Sequence, residues 1–343
     1  MSSVGQGSNF TSIPILNYTL LSSSETRPVF IKQLRNALIN VIAFLPKFFG
    51  LPQERKDALR MANSPHFLGY SRLGVEMTKG AVDQREQLDF ATPLENTWKL
   101  GEPEYLRLWG PSQWPAEEDL PGFKAAFLRY LKAVESLSYE FVGLLAESLG
   151  LPPDGLAQFF DARERMQHRA KIVKYPTRDT VASGQGVGPH FDAGFLTFLL
   201  QASDHPGLQV QNLSGEWIDV PPRPYTFVVN IGKALESVTQ GLARATSHRV
   251  LAPAAGTSPR YSIPFFQNIA QNLRLSEHVL QFPAEVLELK GVRGQLGQTD
   301  SVNFTEYESL PSGEVTLINR VKALPRSVQT IFPYGLPVHG TAY

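Results

Sequence analysis

His190 and Asp192 stand two residues apart in the stretch GPHFDAGFLTFLLQ. In an extended chain, side chains at i and i+2 point the same way, so this imidazole and carboxylate could hold one small cation between them. A metal site needs more than two ligands, and the natural third is His248 in ATSHRVLAP, another stretch with strand character. Two histidines and a carboxylate on one face leave coordination positions open, a set that suits Fe(II). Twelve residues after His248 come Arg260 and Ser262, in RYSIPFF. Spaced again at i and i+2, a guanidinium fork and a hydroxyl could grip a carboxylate. Taken singly, each residue has a plainer reading: a hydrogen-bonded structural histidine, or an arginine in a surface ion pair. The ordered set is what argues for a metal and an anion. The other histidines, at 66, 168, 205, 278 and 339, fall in no such pattern, although His66 lies near a Gly-Tyr segment that could border a site.

The elements that must hold these residues read as short strands. From His168 onward, AKIVKYP, FLTFLLQ, GLQVQ, EWIDVP, TFVVNIG, HRVLAP and RYSIPFF follow one another with Gly and Pro turns between them, the pattern of a double-sheet barrel or sandwich. Ahead of them, apolar residues from Phe123 to Leu145 recur at helical spacing and predict a long scaffold helix over 121–149, stopped by Gly150. LPPDGLAQFF then predicts a short helix with proline in its first turn. Helical spacing also runs from Val29 to Phe49, with a break or kink expected at Pro46, and resumes from Glu54 to Ala62. Ile13 to Leu16 reads as a short strand, SPHFLGYSRLG as a loop, and Trp98 to Pro121 as an irregular connector. The charges of DQREQLDF, residues 83–90, are expected to be solvated. The chain divides into an N-terminal region over 1–120, a scaffold helix and catalytic unit over 121–320, and a loose tail over 321–343.

Composition removes several function classes. Lys and Arg number 32, as do Asp and Glu, with no basic block, so nothing points to nucleic acid or an anionic membrane as partner, and a small molecule is the expected one. The absence of cysteine excludes disulfides, thiolate catalysis and cysteine-based metal sites. No apolar run approaches the roughly 20 residues of a spanning helix, and the start, MSSVGQGSNFTS, is too polar for a signal peptide. A cytoplasmic enzyme is the expectation.

His190-Phe191-Asp192, His248-Arg249-Val250 and Arg260-Tyr261-Ser262, with GLQV at Gly207 and VVNIG at Val228 between them, resemble the iron- and 2-oxoglutarate-dependent dioxygenases, in the branch of isopenicillin N synthase. The likeness extends from about Lys171 to Gln267 and is weaker before it. It implies a mainly β fold, a double-stranded β-helix (jelly-roll, cupin-like) core flanked by helices, with a helical N-terminal region. It implies Fe(II) on His190, Asp192 and His248, and O2 and 2-oxoglutarate as co-substrates, the latter's distal carboxylate held by Arg260 and Ser262 with a hydrogen bond from Tyr175. The implied reaction hydroxylates, desaturates or cyclises a small, largely apolar molecule, releasing succinate and carbon dioxide, in secondary metabolism. Phe191 would wall the iron pocket, while Phe195, Phe198 and Phe265 are either pocket contacts or core. Two alternatives stand beside this: an oxidase in which Arg260 and Ser262 hold the substrate's own carboxylate, and a non-catalytic variant of the fold. The sequence also departs from the family. It runs from LRNALINV straight into IAFLPKFF without the usual intervening strand, which would leave backbone groups unpaired. Val173, Lys233 and Gln240 replace residues the family usually has as Asn, Asp and Asn, and the tail is unusual.

Overall fold

The computed structural model describes residues 11–13, 40–78, 80–179, 184–278, 280–292 and 309–323. The expected strand at Ile13 to Leu16, apart from Ile13, lies outside these, as do the first part of the helix expected from Val29 and nearly all of the tail; the junction where the family's strand is missing, Val41 to Ile42, is described and is helical.

Two antiparallel sheets face each other. The larger contains β1 (Gly69–Ser71), β4 (Glu86–Ala91), β5 (Arg169–Tyr175), β12 (Arg260–Gln267), β7 (Leu196–Gln201) and β10 (Val228–Ile231), in that spatial order. The smaller runs β6 (Gln185–His190), β11 (His248–Leu251), β8 (Leu208–Gln211), β9 (Trp217–Asp219), and a separate hairpin pairs β2 (Met77–Thr78) with β3 (Ala81–Val82). Val173, Tyr175 and Leu199 of the large sheet meet Val187, Leu208 and Val250 of the small one, forming an apolar layer between them. The large sheet's other face is covered by α3 (Phe123–Ser148), whose Phe127, Tyr130, Leu131 and Val134 pack on Phe90, Ile172, Phe198 and Phe265. Buried along nearly its whole length, β7 reads as a largely apolar run, whereas β5 carries Arg169, Lys171 and Lys174 among its apolar residues, and each large apolar side chain so buried contributes about 1.5–3 kcal/mol. α3 ends where Gly150, at φ +73°, turns the chain out of the helix.

Three helix boundaries differ from expectation. The helix over 40–49 (α1) continues past Pro46 without a break. Burial of Val41, Leu45, Phe48 and Phe49 outweighs the backbone bond that the proline removes. The helix expected over 54–62 is only α2 (Gln53–Asp57) followed by a 3-10 turn at Met61–Asn63. The carbonyl of Leu59 accepts instead from the Tyr70 N–H at 2.7 Å, drawing the chain toward β1, which occupies the expected loop. LPPDGLAQFF forms turns and a 3-10 turn, Ala157–Phe159, because Gly155 closes a tight turn onto the Pro152 carbonyl.

His168, just before β5, is fully buried under the edge of Phe265, and burial holds its pKa down to about 3. Its Nδ1 accepts from the Asn268 N–H at 3.1 Å, so Nε2–H donates to Tyr139 Oη at 2.9 Å. An unfolded histidine binds a proton below about pH 6.5, which the folded one refuses until about pH 3. Stability is therefore lost as pH falls through that window, by about 1.4 kcal/mol per unit from this group alone. Urea melts at pH 7 and pH 5 should show that loss, with a flatter dependence in His168→Gln.

Candidate active site

His190 closes β6 and His248 opens β11, and the two are cross-strand partners. Pro189 has no N–H to give the ladder, and the register shifts beside it, Val250 pairing with Val187, so β6 carries one extra residue there. Such a bulge re-aims the side chain that follows it. The imidazole centroids lie 4.2 Å apart, His248 Nε2 is 3.8 Å from Asp192 Oδ2, and the donor atoms of His190, Asp192 and His248 all lie within 4.8 Å of one another. His190 Nδ1 donates to the Gly188 carbonyl at 2.9 Å and His248 Nδ1 to that of Thr246 at 3.1 Å, which leaves both Nε2 lone pairs for a metal. Burial, and then the charge of His248, hold His190 neutral. Burial alone would raise the pKa of Asp192, but His248, His190 and hydrogen bonds from Thr197 and Asn230 outweigh it and lower it. Two imidazoles with Nε2 turned to one point and an ionised carboxylate, buried together, fit a divalent cation.

The Asp192 loop rests on Gly232. Lys233 N–H donates to the Asp192 carbonyl at 2.8 Å, and a Cβ on Gly232 would sit 1.9 Å from the Gly194 carbonyl oxygen. The requirement is space, since φ is −90°. Gly232→Ala should therefore push the ligand loop aside, costing about 1–3 kcal/mol of stability and roughly ten- to a hundredfold in iron affinity, read by thermal melts and competition with a chelator.

Arg260 and Tyr175 are paired across β12 and β5, and the guanidinium lies over the phenol ring, 5.1 Å from its centroid. Arg260 is 1 % exposed. Its Nη2 donates to Gln201 Oε1 at 3.0 Å, whereas Nε and Nη1 have no acceptor. Among the described residues no carboxylate is within ion-pairing distance. Burial lowers its pKa, against a raising influence of Tyr175. Ser262, also buried, lies two residues on along the same strand and pairs with Val173 and Gln201. A buried cation with two unused donors costs about several kcal/mol unless an anion meets it, so these residues fit a carboxylate ligand.

A cavity of about 330 Å³ opens beside His190 and Asp192. It is lined by Phe191, by Arg85, Lys171 and Glu76, and by Asn319 and Arg320 of α6 (Ser312–Ala323), which follows α4 (Lys233–Val238) and α5 (Ala284–Val292) in the chain. The charges of residues 83–90, expected in solvent, are buried: Asp83 is 0 % and Asp89 1 % exposed. Lys171 and Arg320 share Asp89 Oδ1, each at 3.4 Å, and Arg85 bridges Glu76 at 2.5 Å and Asp83 at 3.2 Å. Mutual pairing is what allows them inside.

The profile of the 2OG-Fe(II) oxygenase superfamily matches residues 165–269, and that of the non-haem dioxygenase in morphine synthesis N-terminal domain matches 38–117. The chain is 42% identical to the 2-oxoglutarate-dependent dioxygenase frbJ of Dothideomycetidae sp. (strain 11243), covering 92% of this chain and 91% of that one. This chain is a 2-oxoglutarate- and Fe(II)-dependent oxygenase. A 2-oxoglutarate-dependent dioxygenase of Gibberella zeae is 35% identical over 95% of the chain and 92% of its own length. Among solved structures, a full-length Neurospora crassa protein in complex with alpha-KG superposes with a TM-score of 0.60 at 25% identity, covering 92% of this chain and 86% of that one. The oxygenase thus uses Fe(II), 2-oxoglutarate and O2.

Within the oxygenase, the structure brings His190, Asp192 and His248 together and places Arg260, Ser262 and Tyr175 on adjoining strands. Phe191 does line the cavity, 5.1 Å under Lys233 Nζ. Phe195, Phe198 and Phe265 do not: they pack in the core on Phe159, Phe141 and His168 respectively. His66 is also off the cavity, its Nδ1 donating to the Arg107 carbonyl at 2.6 Å. Sequence reasoning missed Arg85, Lys171, Lys233, Asn319 and Arg320, all of which line it. One signal was present: Arg169, Lys171, Val173 and Tyr175 alternate along β5 and so share a face.

Proposed function

We propose that this oxygenase binds Fe(II) through His190, Asp192 and His248, receives the distal carboxylate of 2-oxoglutarate on Arg260 and Ser262 with help from Tyr175, and oxidises a C–H bond of a small polar molecule held in the cavity beside the iron. The observation that supports it most is the buried Arg260 with Nε and Nη1 unused. When bound, iron with 2-oxoglutarate and O2 supplies the oxidising power, with succinate and carbon dioxide released. The chain's own residues do the positioning. Gly188 and Thr246 carbonyls fix the imidazole orientations, and Asn230 Nδ2, 3.4 Å from Asp192 Oδ2, orients the carboxylate. Gln201 holds one arm of the guanidinium so that its remaining donors keep a fixed direction. The layer of valines and leucines between the sheets keeps water from this end of the site.

The same reading takes the facing sheets as a double-stranded β-helix with a helical N-terminal region, divided at residues 120 and 320 as the sequence suggests. It places the protein in the cytoplasm, in secondary metabolism, without nucleic-acid or membrane partners. No helix among the described residues is long and apolar enough to cross a membrane. The charged cavity wall argues against the largely apolar substrate that the sequence suggested. Adding 2-oxoglutarate anaerobically to the Fe(II)-loaded protein should produce a weak visible charge-transfer band. Iron binding without a band would return the reading to an oxidase without co-substrate, and no iron binding would leave a non-catalytic fold.

A further inference from the structure

The charged wall of the cavity that opens beside His190 and Asp192 has a surplus of hydrogen-bond donors and of positive charge. Besides Lys233, which is paired with Glu236 at 2.8 Å, four cations line it, Arg85, Arg169, Lys171 and Arg320, and the carboxylates beside them are three, Glu76 in the lining and Asp83 and Asp89 behind it. The carboxylates have little capacity to spare. Asp89 already serves Lys171 and Arg320 with one oxygen and Gln87 Nε2, at 2.7 Å, with the other, while Glu76 takes Arg85 and Gln87. Arg169 donates to the carbonyls of His66, Phe67 and Leu108, which satisfy its N–H groups without cancelling its charge. Two buried donors have no acceptor among the described residues: Arg85 Nε and Asn319 Nδ2. Asn319 and Arg320 are consecutive on α6 and both line the cavity. A pocket wall with unused N–H groups and one uncompensated positive charge is completed by an oxyanion.

We infer that the primary substrate carries a carboxylate or a similar singly charged oxyacid group, and that Asn319 and Arg320 of α6, with Lys171 of β5, receive it in the cavity that also borders His190 and Asp192. This rests on the reading of the cavity as the substrate chamber and is separate from the co-substrate carboxylate, since Arg260 does not line that cavity. The acid group then anchors the molecule at one end and leaves its far end toward His190 and Asp192. Reaction position is set by the length of chain between them, since orientation at the reacting carbon decides what is oxidised.

The test uses the full chain loaded with Fe(II) and saturating 2-oxoglutarate under nitrogen, so that Arg260 is already occupied. Thermal melts are recorded with straight-chain monocarboxylates, acetate through hexanoate, and with the matched primary amides. The acids should raise Tm in a dose-dependent way while the amides do not. The apparent affinity for acids should fall about tenfold or more in Arg320→Met and in Asn319→Leu, with the visible band unchanged in both. Asn319→Leu removes a donor that has no acceptor among the described residues, so it keeps the test valid if Arg320→Met folds poorly. Acids and amides acting alike, neither acting, or a full response surviving in both variants would overturn the inference. A missing band in the wild type would instead remove the co-substrate reading, and the acid and amide comparison would then be made with Fe(II) alone.

Discussion

Arg260→Met should raise the KM for 2-oxoglutarate by roughly 30- to 1,000-fold, the equivalent of about 2–4 kcal/mol for truncating one partner of a buried charge pair. The same substitution should leave the ligand-free protein as stable as before, or more stable. The two outcomes have opposite sign for one reason. Without an anion, Arg260 is a 1 % exposed guanidinium with two idle donors, and replacing a buried, unpaired charge by an apolar side chain of similar length relieves a desolvation cost. With the anion, the fork is the main attraction in its pocket. Thermal melts with and without 2-oxoglutarate should show the wild type gaining several degrees on loading and the variant almost none. Arg260→Lys should fall between, because a point charge cannot reproduce the planar fork and reaches Gln201 poorly. A variant that still responds to 2-oxoglutarate like the wild type would show that the distal carboxylate is held elsewhere.

Asp192→Ala should reduce bound iron to trace levels and turnover by at least about a thousandfold, more than the loss expected for disturbing an outer residue such as Gly232. Asp192 is the only anionic ligand of the three, and its carboxylate is kept ionised before any metal arrives. Removing it leaves two imidazoles, which hold Fe(II) weakly without an anionic ligand. The backbone consequence is small, since the loop is tied through the Asp192 carbonyl to Lys233 N–H, a bond that alanine retains. Metal analysis after desalting and a succinate assay would measure both effects. Iron retained at full occupancy in Asp192→Ala would exclude the triad as the site.

The triad was legible because strand periodicity is simple: an i, i+2 pair shares a face whatever the rest of the fold does, and His248 joined it by strand pairing. The strands after His168 and the long helix were legible for the same reason, their apolar spacing being unambiguous. The charged wall was not. Asp83, Glu86 and Asp89 look like a solvated run, and only the partners that fold against them, Lys56 at 2.6 Å from Glu86 and Lys171 and Arg320 on Asp89, make burial tolerable. Those partners lie up to 231 residues away in the chain. Phe195, Phe198 and Phe265 stayed open for a different reason. An aromatic ring suits a core and a pocket equally, and periodicity places it on a face without saying what covers that face. Here α3 and its neighbours cover it. Pro46 misled because propensity speaks for an isolated helix, whereas burial of Leu45, Phe48 and Phe49 decides for the folded one.

The pairing of His190 directly opposite His248 ties the iron to the way the small sheet is zipped. A slip of one residue between β6 and β11 would turn one imidazole to the opposite face and dismantle the ligand set. Iron therefore selects one alignment of two short strands from the several that their backbones could form, and its binding energy is added to that alignment alone. In a preparation, metal occupancy reports how many molecules have zipped correctly, and chains refolded without iron should include misaligned ones that later addition of the metal rescues only as fast as the strands can come apart.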